Sequence, residues 1–349
     1  MKLNGFGYTR RQLESLCGDI LQLGGATEAR LTDGRADGVK IVSVRTGAGL
    51  SFVVSLDRCL DIIQADYCGI NLGYLSSCNV THPSYYDERD CESRRQFFGG
   101  LLSTCGLTNT GTPSEGVGLH GRIGNTPAEQ VVVRNYWEDD RFLSQIQGTM
   151  REAALFSEKL FLTRTITTEL GKNRILIEDD IYNAGFNSVE WMLMYHINFG
   201  FPLLDEKAKI VTYPPKRITP VDDRSTEAMD WLFAFSKPVP NCSEYAYQIL
   251  PGTNDLGETA YAAVNDQLEI GLMVSYSIDA LPYVTYWKMP GFSDYVLGYE
   301  PSICPSIGRT AAREQGVLPQ IAPGEHKKIS LQLDVMPCKE IYKYFKNVF

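Results

Sequence analysis

The sequence predicts an all-β protein: a large antiparallel β-sandwich with a few short helices. Three observations carry that prediction. Segments rich in β-branched and aromatic residues recur along most of the chain. Turn residues separate them at intervals of roughly 8–15 positions, with no alternating helical pattern, which excludes a doubly wound α/β fold. The 349 residues can form one large β unit without a second domain.

The elements follow in chain order. Thr9-Arg10-Arg11-Gln12 has the form of a capping box, and Leu13, Leu16, Cys17 and Ile20 follow at helical spacing. Residues 1–22 are therefore expected as an N-terminal helical extension, and residues 23–349 as a single sandwich domain. Strands are predicted over 39–45 and 51–56, and a short helix over 93–98, where Ser93 and Gln96 repeat the box. Strands over 131–137 and 141–148 precede a hairpin of 160–170 and 174–182 turning at Gly171-Lys172-Asn173. A strand over 189–198 leads into a Pro-rich irregular stretch over 213–241, a length that usually goes with lining a site. Further strands are predicted over 244–250, 261–265, 268–276, 283–289, 295–299 and 328–335, and a last helix over 339–345.

Composition narrows the function. Charged residues make up 21% and hydrophobic residues 44%, which excludes a disordered chain. Lys plus Arg number 33 against 42 Asp plus Glu, a net charge of −9 that argues against nucleic acid or an anionic membrane as partner. No apolar run approaches the roughly 20 residues of a membrane span, and no secretory signal is expected at the start. Nine scattered cysteines without a Cys-x-x-Cys pair suit a reducing cytoplasm, where they act as small buried hydrophobes. No Gly-rich dinucleotide fingerprint, phosphate loop or metal-ligand spacing occurs, so no cofactor or metal is expected.

Four histidines limit where proton chemistry can sit. His82 and His326 lie in polar turns and are expected in solvent. His120 lies in Gly116-Val-Gly-Leu-His-Gly-Arg122, where glycines let backbone approach a ligand and where His120 and Arg122 would share one side of an extended segment. The alternative there is a tight corner with a satisfied histidine. His196 and Asn198 end the apolar run 191–195, and Glu300 ends the apolar run 295–299 before Pro301. A buried acid and a buried histidine at strand ends suit acid–base work, although a core histidine explains the first pattern as well. Arg58 and Asp61 stand three apart in an apolar segment, as a structural ion pair or as ligand contacts. Lys288 lies in an aromatic strand end, either snorkelling to the surface or facing a ligand.

In this order the motifs resemble those of the galactose mutarotase-like superfamily, the aldose 1-epimerases. Leu119-His120-Gly121 resembles the superfamily's Gly-rich histidine segment, and His196-Ile-Asn-Phe its catalytic histidine segment. The stretch 282–295 with Glu300 five residues before Pro305 resembles the strand, turn and catalytic glutamate, and 318–325 the turn before the closing strand. Three features depart from the pattern. The usual Asn-Arg-Ile after Phe-Gly-Gly is replaced by 101–107, Arg122 follows His-Gly, and Lys288 stands near an expected acid or amide. The chain most resembles a divergent branch of epimerase-like proteins, in which Arg58–Ile62, Leu119–Arg122, Trp287–Met289 and Glu300–Pro301 have counterparts.

The resemblance implies a supersandwich fold and interconversion of sugar anomers, with Glu300 as base and His196 as acid. Arg58, Asp61, His120, Arg122, Asn198 and Lys288 would then bind substrate. The cations Arg58, Arg122, Lys288, Arg309 and Arg313 suit an acidic or phosphorylated sugar. The expected partner is a small sugar, with a homodimer allowed. Two alternatives stay open: a noncatalytic sugar-binding protein, and a keto-sugar isomerase or lyase on the same scaffold.

Overall fold

Alternating apolar and polar positions pair into three large antiparallel sheets, with three two-stranded ones beside them, in the computed structural model, which describes residues 1–3 and 5–346. The end of the expected 23–349 domain thus lies outside the described residues. The first sheet has five strands, from Gly25–Arg30 to Ile70–Asn71 in sequential order. An eight-stranded sheet runs from Glu129–Glu138 through Arg141–Ala153, Lys159–Glu169 and Arg174–Asn183 to His326–Pro337, then Ile270–Ser277, Glu258–Asn265 and Lys209–Thr212. The closing strand His326–Pro337 therefore sits mid-sheet between segments distant in sequence, so long-range pairing holds the sheet together.

The six-stranded sheet carries the site, and its four central strands are numbered here. β1 (Leu102–Leu107) pairs with β2 (Met192–Gly200). β2 pairs with β4 (Tyr295–Ser302), and β4 with β3 (Tyr283–Pro290). Tyr245–Leu250 and Arg217–Pro220 complete the sheet beyond β3. Every residue of β1 and β2 is buried, as expected for strands covered on both faces. One apolar core spans the three sheets, from Val42, Phe52 and Ile62 through Leu162 and Ile177 to Leu193, Tyr286 and Leu297.

The helices are short. Arg10–Leu16 starts at the predicted box, with both reciprocal bonds between Thr9 and Gln12 present. It ends at Leu16, and Ile20 belongs to a separate 3₁₀ turn, so residues 1–22 are not one helix. Leu3, Leu13 and Ile20 instead pack on Phe142 and Leu170 and seal one end of the sandwich. The 93–98 segment is a 3₁₀ turn over Glu92–Gln96, and Cys338–Phe345 is helical. The irregular excursion holds the strand Arg217–Pro220 and the short helix Asp223–Glu227. Among the described residues no helix is long and apolar enough to cross a membrane. Four of the nine cysteines are buried and Cys68 is exposed, so the filler role fits only some of them.

Candidate functional site

Register builds the site. Met194 faces Ser302 and Ile197 faces Tyr299 across β2 and β4, which stands His196 beside Glu300. Ser103 faces His196 from β1, and Thr285 faces Glu300 from β3. Side chains alternate between the faces of a strand, so this row and the neighbouring Trp287 point the same way. Gly298 lies opposite both Asn198 and Trp287. A Cβ at Gly298 would fall 2.7 Å from Glu300 Oε1 and 3.0 Å from both His196 Cε1 and Trp287 Cε3. The missing side chain is what lets these three groups meet.

These side chains line a cleft of about 720 Å³, a size suited to a small ligand. His196 Nε2 and Glu300 Oε1 are 3.1 Å apart on its floor, both nearly buried. Burial depresses His196 to about 3, assisted by the neighbouring His120, while the Asn198 side chain opposes that shift. Burial also raises Glu300 well above the usual carboxylate range, and the charge of Glu244 adds to this. Both shifts favour an uncharged pair that carries one proton, on the carboxyl group.

His120 reaches the cleft from a turn with φ 64° at His120 and 73° at Gly121. Its ring meets His196 edge-on at 5.7 Å between centroids, while Phe97 and Trp287 pack on His196 at 5.1 and 5.5 Å. The Gly111 N–H donates to His120 Nδ1 at 3.3 Å, which leaves the ring proton on Nε2 for a ligand. Burial and the charge of Arg94 lower His120 to about 4, so it is a neutral donor.

Five of the eight sequence-chosen residues line this cleft: His196, Glu300, His120, Asp61 and Arg58. The last two do not pair with each other as their spacing suggested. Asp61 accepts from the Thr104 N–H and hydroxyl and from Arg164 Nη1 at 3.1 Å. Burial still lifts it to about 6. Arg58 donates to the carbonyls of Gly124, Thr81 and Gln96 and lies over the Phe98 ring, so it fastens three loops at the rim.

The other three are placed differently. Asn198 is buried behind His196, with its amide on the Gly99 and His196 carbonyls and its Oδ1 unpartnered. Arg122 turns away to Glu88 at 2.5 Å, because the positive-φ turn at His120–Gly121 breaks the extended geometry that would keep His120 and Arg122 together. Lys288 has the opposite parity to Trp287 and projects from the other face, into the folded excursion. Its ammonium donates to the Trp231 and Ala234 carbonyls and lies over the Trp231 and Phe235 rings. Arg309 and Arg313 are both paired with Glu115 and Glu190. The excursion does contribute to the cleft, through Arg224. Among the described residues no group of three His, Cys, Asp or Glu gathers as a metal site.

Sequence reasoning missed several members. Trp287 forms a wall, and Glu244 accepts its indole N–H at 2.8 Å. Gly298 had a signal, a glycine interrupting an apolar strand, which marks close approach. Arg164 had one too: it shares the inward parity of Leu160, Leu162 and Ile166. Arg94 and Phe97 had none. A larger concavity of about 950 Å³ lies elsewhere, between the Arg174–Asn183, His326–Pro337 and Ile270–Ser277 strands, but none of the four histidines lines it.

The profile of a family described as a domain of unknown function, DUF4432, matches residues 36–335. The chain belongs to that family. No curated protein matches it by sequence. Its fold is galactose mutarotase-like. A candidate aldose 1-epimerase from Klebsiella pneumoniae superposes with TM-score 0.86 at 23% identity, over 94% of this chain and 91% of that one. A galactose mutarotase-like protein from Clostridium acetobutylicum gives 0.65 at 11% identity, over 90% and 99%. Galactose 1-epimerase from Lactobacillus acidophilus gives 0.59 at 11% identity, over 90% and 99%.

Proposed function

We propose that this DUF4432 protein is a sugar isomerase that interconverts anomers by acid–base catalysis at His196 and Glu300. The observation that carries the reading is the His196–Glu300 contact of 3.1 Å at the floor of a sugar-sized cleft. Ring opening needs one group to take the proton of the anomeric hydroxyl and another to give one to the ring oxygen. The resemblance assigns the first role to Glu300 and the second to His196.

The resting proton lies on Glu300, so it first crosses the hydrogen bond, leaving a carboxylate and an imidazolium. Glu300 then takes the hydroxyl proton while His196 protonates the ring oxygen, and the carbon–oxygen bond of the ring breaks. The pair is again uncharged beside an open-chain aldehyde. Rotation about the bond next to the aldehyde and reversal of both transfers give the other anomer. The buried surroundings disfavour the carboxylate–imidazolium form beside the closed ring, so they drive both transfers that return the pair to its uncharged state. His120 Nε2–H and the Asp61 carboxylate would hold hydroxyl groups, and Asn198 would position His196 from behind. The nine free cysteines suit the reducing cytoplasm proposed as its compartment.

The test is anomer exchange measured by magnetisation-transfer NMR over a panel of aldoses, in deuterated water. Catalysed exchange without deuterium at carbon supports the reading. Deuterium uptake at carbon points to a keto-sugar isomerase or lyase, and binding without exchange to a sugar-binding protein.

A further inference from the structure

The cations that first suggested an anionic substrate are engaged elsewhere: Arg58 by carbonyls, Arg122 by Glu88, and Arg309 and Arg313 by Glu115 and Glu190. Lys288 projects from the other face of the sheet. One guanidinium in the cleft wall differs. Arg94 lies in the 3₁₀ turn Glu92–Gln96, is exposed, and lines the cleft beside Phe97 and His120. Its side chain meets no carboxylate or carbonyl among the described residues. Its neighbours Arg89 and Arg95 are held by Asp87 and Glu92, and Arg224, also in the cleft wall, by Asp222.

The cleft is electrically directional. The charge of Arg94 acts on His120, whereas that of Glu244 acts on Glu300. The rings of His120, His196 and Trp287 join the two ends in steps of 5.7 and 5.5 Å. A free cation thus stands at the His120 end, a carboxylate at the Trp287 end, and the acid–base pair between them.

We propose that Arg94 anchors an anionic oxygen substituent, a carboxylate or a phosphate, of a sugar whose anomeric carbon lies at His196 and Glu300. The reaction part rests on the isomerase reading above; the binding part does not. A guanidinium offers paired donors in a plane that match two anionic oxygens, whereas a hydroxymethyl group has no charge and a single oxygen. Glu244 repels the same substituent at the far end, which sets the direction of binding. Because Arg94 is exposed, salt screens the attraction.

The experiment is calorimetric binding together with anomer exchange for D-glucuronate and D-glucose 6-phosphate against D-glucose, and D-galacturonate against D-galactose. Wild type, R94Q and R94K are compared at low and high salt. Wild type is expected to favour at least one anionic sugar over its neutral partner by roughly tenfold or more, the size of a charged hydrogen bond. R94Q removes that preference, R94K keeps part of it, and salt weakens it. Tighter binding of the uronates identifies a carboxylate, and tighter binding of the phosphate a phosphoryl group. Arg94-dependent anion binding without anomer exchange upholds the anion site and ends the isomerase reading. Exchange at equal kcat/KM for neutral and anionic sugars overturns the anion site and leaves the isomerase reading standing. Failure of all three anions to bind wild type, or a preference that R94Q leaves intact, also overturns it.

Discussion

His196 and Glu300 face each other across a register that leaves no space for solvent between them, and their protonation follows from that placement. Burial lowers the imidazole to about 3 and raises the carboxyl well above its ordinary range. Turnover should therefore lose its acid limb only when His196 takes a second proton, far below the ordinary histidine range near 6.5. It should lose its alkaline limb when Glu300 gives up the pair's one proton. The expected kcat profile at saturating sugar is flat from about pH 5 through neutrality, whereas kcat/KM bends near pH 6, where Asp61 takes a proton, both checked by NMR exchange rates across pH. A steep fall in kcat between about pH 7 and 6 would mean that His196 titrates as a solvated imidazole. Glu300→Gln keeps the shape but cannot hold a transferable proton, so anomer exchange should drop roughly 10²-fold or more while sugar binding persists. His196→Asn should do the same. Wild-type exchange rates in both variants would reject this pair as the catalytic machinery.

At the scale of elements, β4 places its glutamate because it carries a glycine two residues earlier. Gly298→Ala puts a methyl group 2.7 Å from Glu300 Oε1. The expected result is a loss of roughly 10²-fold in exchange, from displacing a reacting group by about 1 Å, with overpacking costing about 1–3 kcal/mol of stability. Exchange close to wild type would mean that the three groups do not need this spacing. The strands that carry the site were legible in sequence because β2, β3 and β4 are apolar runs ended by polar residues or Pro. β1 was not: Leu102–Leu107 mixes Ser, Thr, Cys and Gly in a strand buried throughout, where packing against β2 overrides propensity. Lys288 was misplaced because the aromatic run hides strand parity, and parity alone decides which face a side chain takes. Its burial makes a separate prediction. Burial lowers its pKa to about 8, so between about pH 8 and 10.5 the unfolded chain holds a proton at Lys288 that the folded chain has released. Stability from this group rises with pH across that window. The stability of wild type relative to Lys288→Met should therefore increase from about pH 7.5 to pH 10 in urea titrations. An unchanged difference would mean that the ammonium titrates as it does in water.

The whole molecule meets at one guanidinium. Arg164, fully buried on the Lys159–Glu169 strand of the eight-stranded sheet, makes a two-point contact with Asp179 at 2.9 and 2.7 Å. It also reaches Asp61 of the five-stranded sheet at 3.1 Å and the Thr104 hydroxyl of β1 at 2.8 Å, while Tyr195 of β2 donates to Asp179 at 2.7 Å. A single cation therefore joins all three sheets beneath the cleft, and through Asp61 and Thr104 it bears on the cleft wall. Sequence alone could place Arg164 on the inward face of its strand but not find its partners, which lie on strands of three different sheets. A buried pair is weak evidence of net stabilisation, but removing one partner leaves the others desolvated without a counter-charge. Arg164→Met should lower unfolding free energy by about 3–5 kcal/mol. In that variant Asp61, already lifted by burial, loses the guanidinium that held it down, so its folded pKa stands further above its unfolded one and stability is lost as pH rises through that interval. The deficit relative to wild type should accordingly be larger at about pH 8 than at about pH 5. Adding Asp61→Asn and Asp179→Asn removes the stranded charges and should recover part of it. Denaturant titrations of the three proteins at both pH values decide the matter: an Arg164→Met deficit below about 1 kcal/mol, or one that does not shrink on acidification, would show that packing rather than this ion network holds the sheets together.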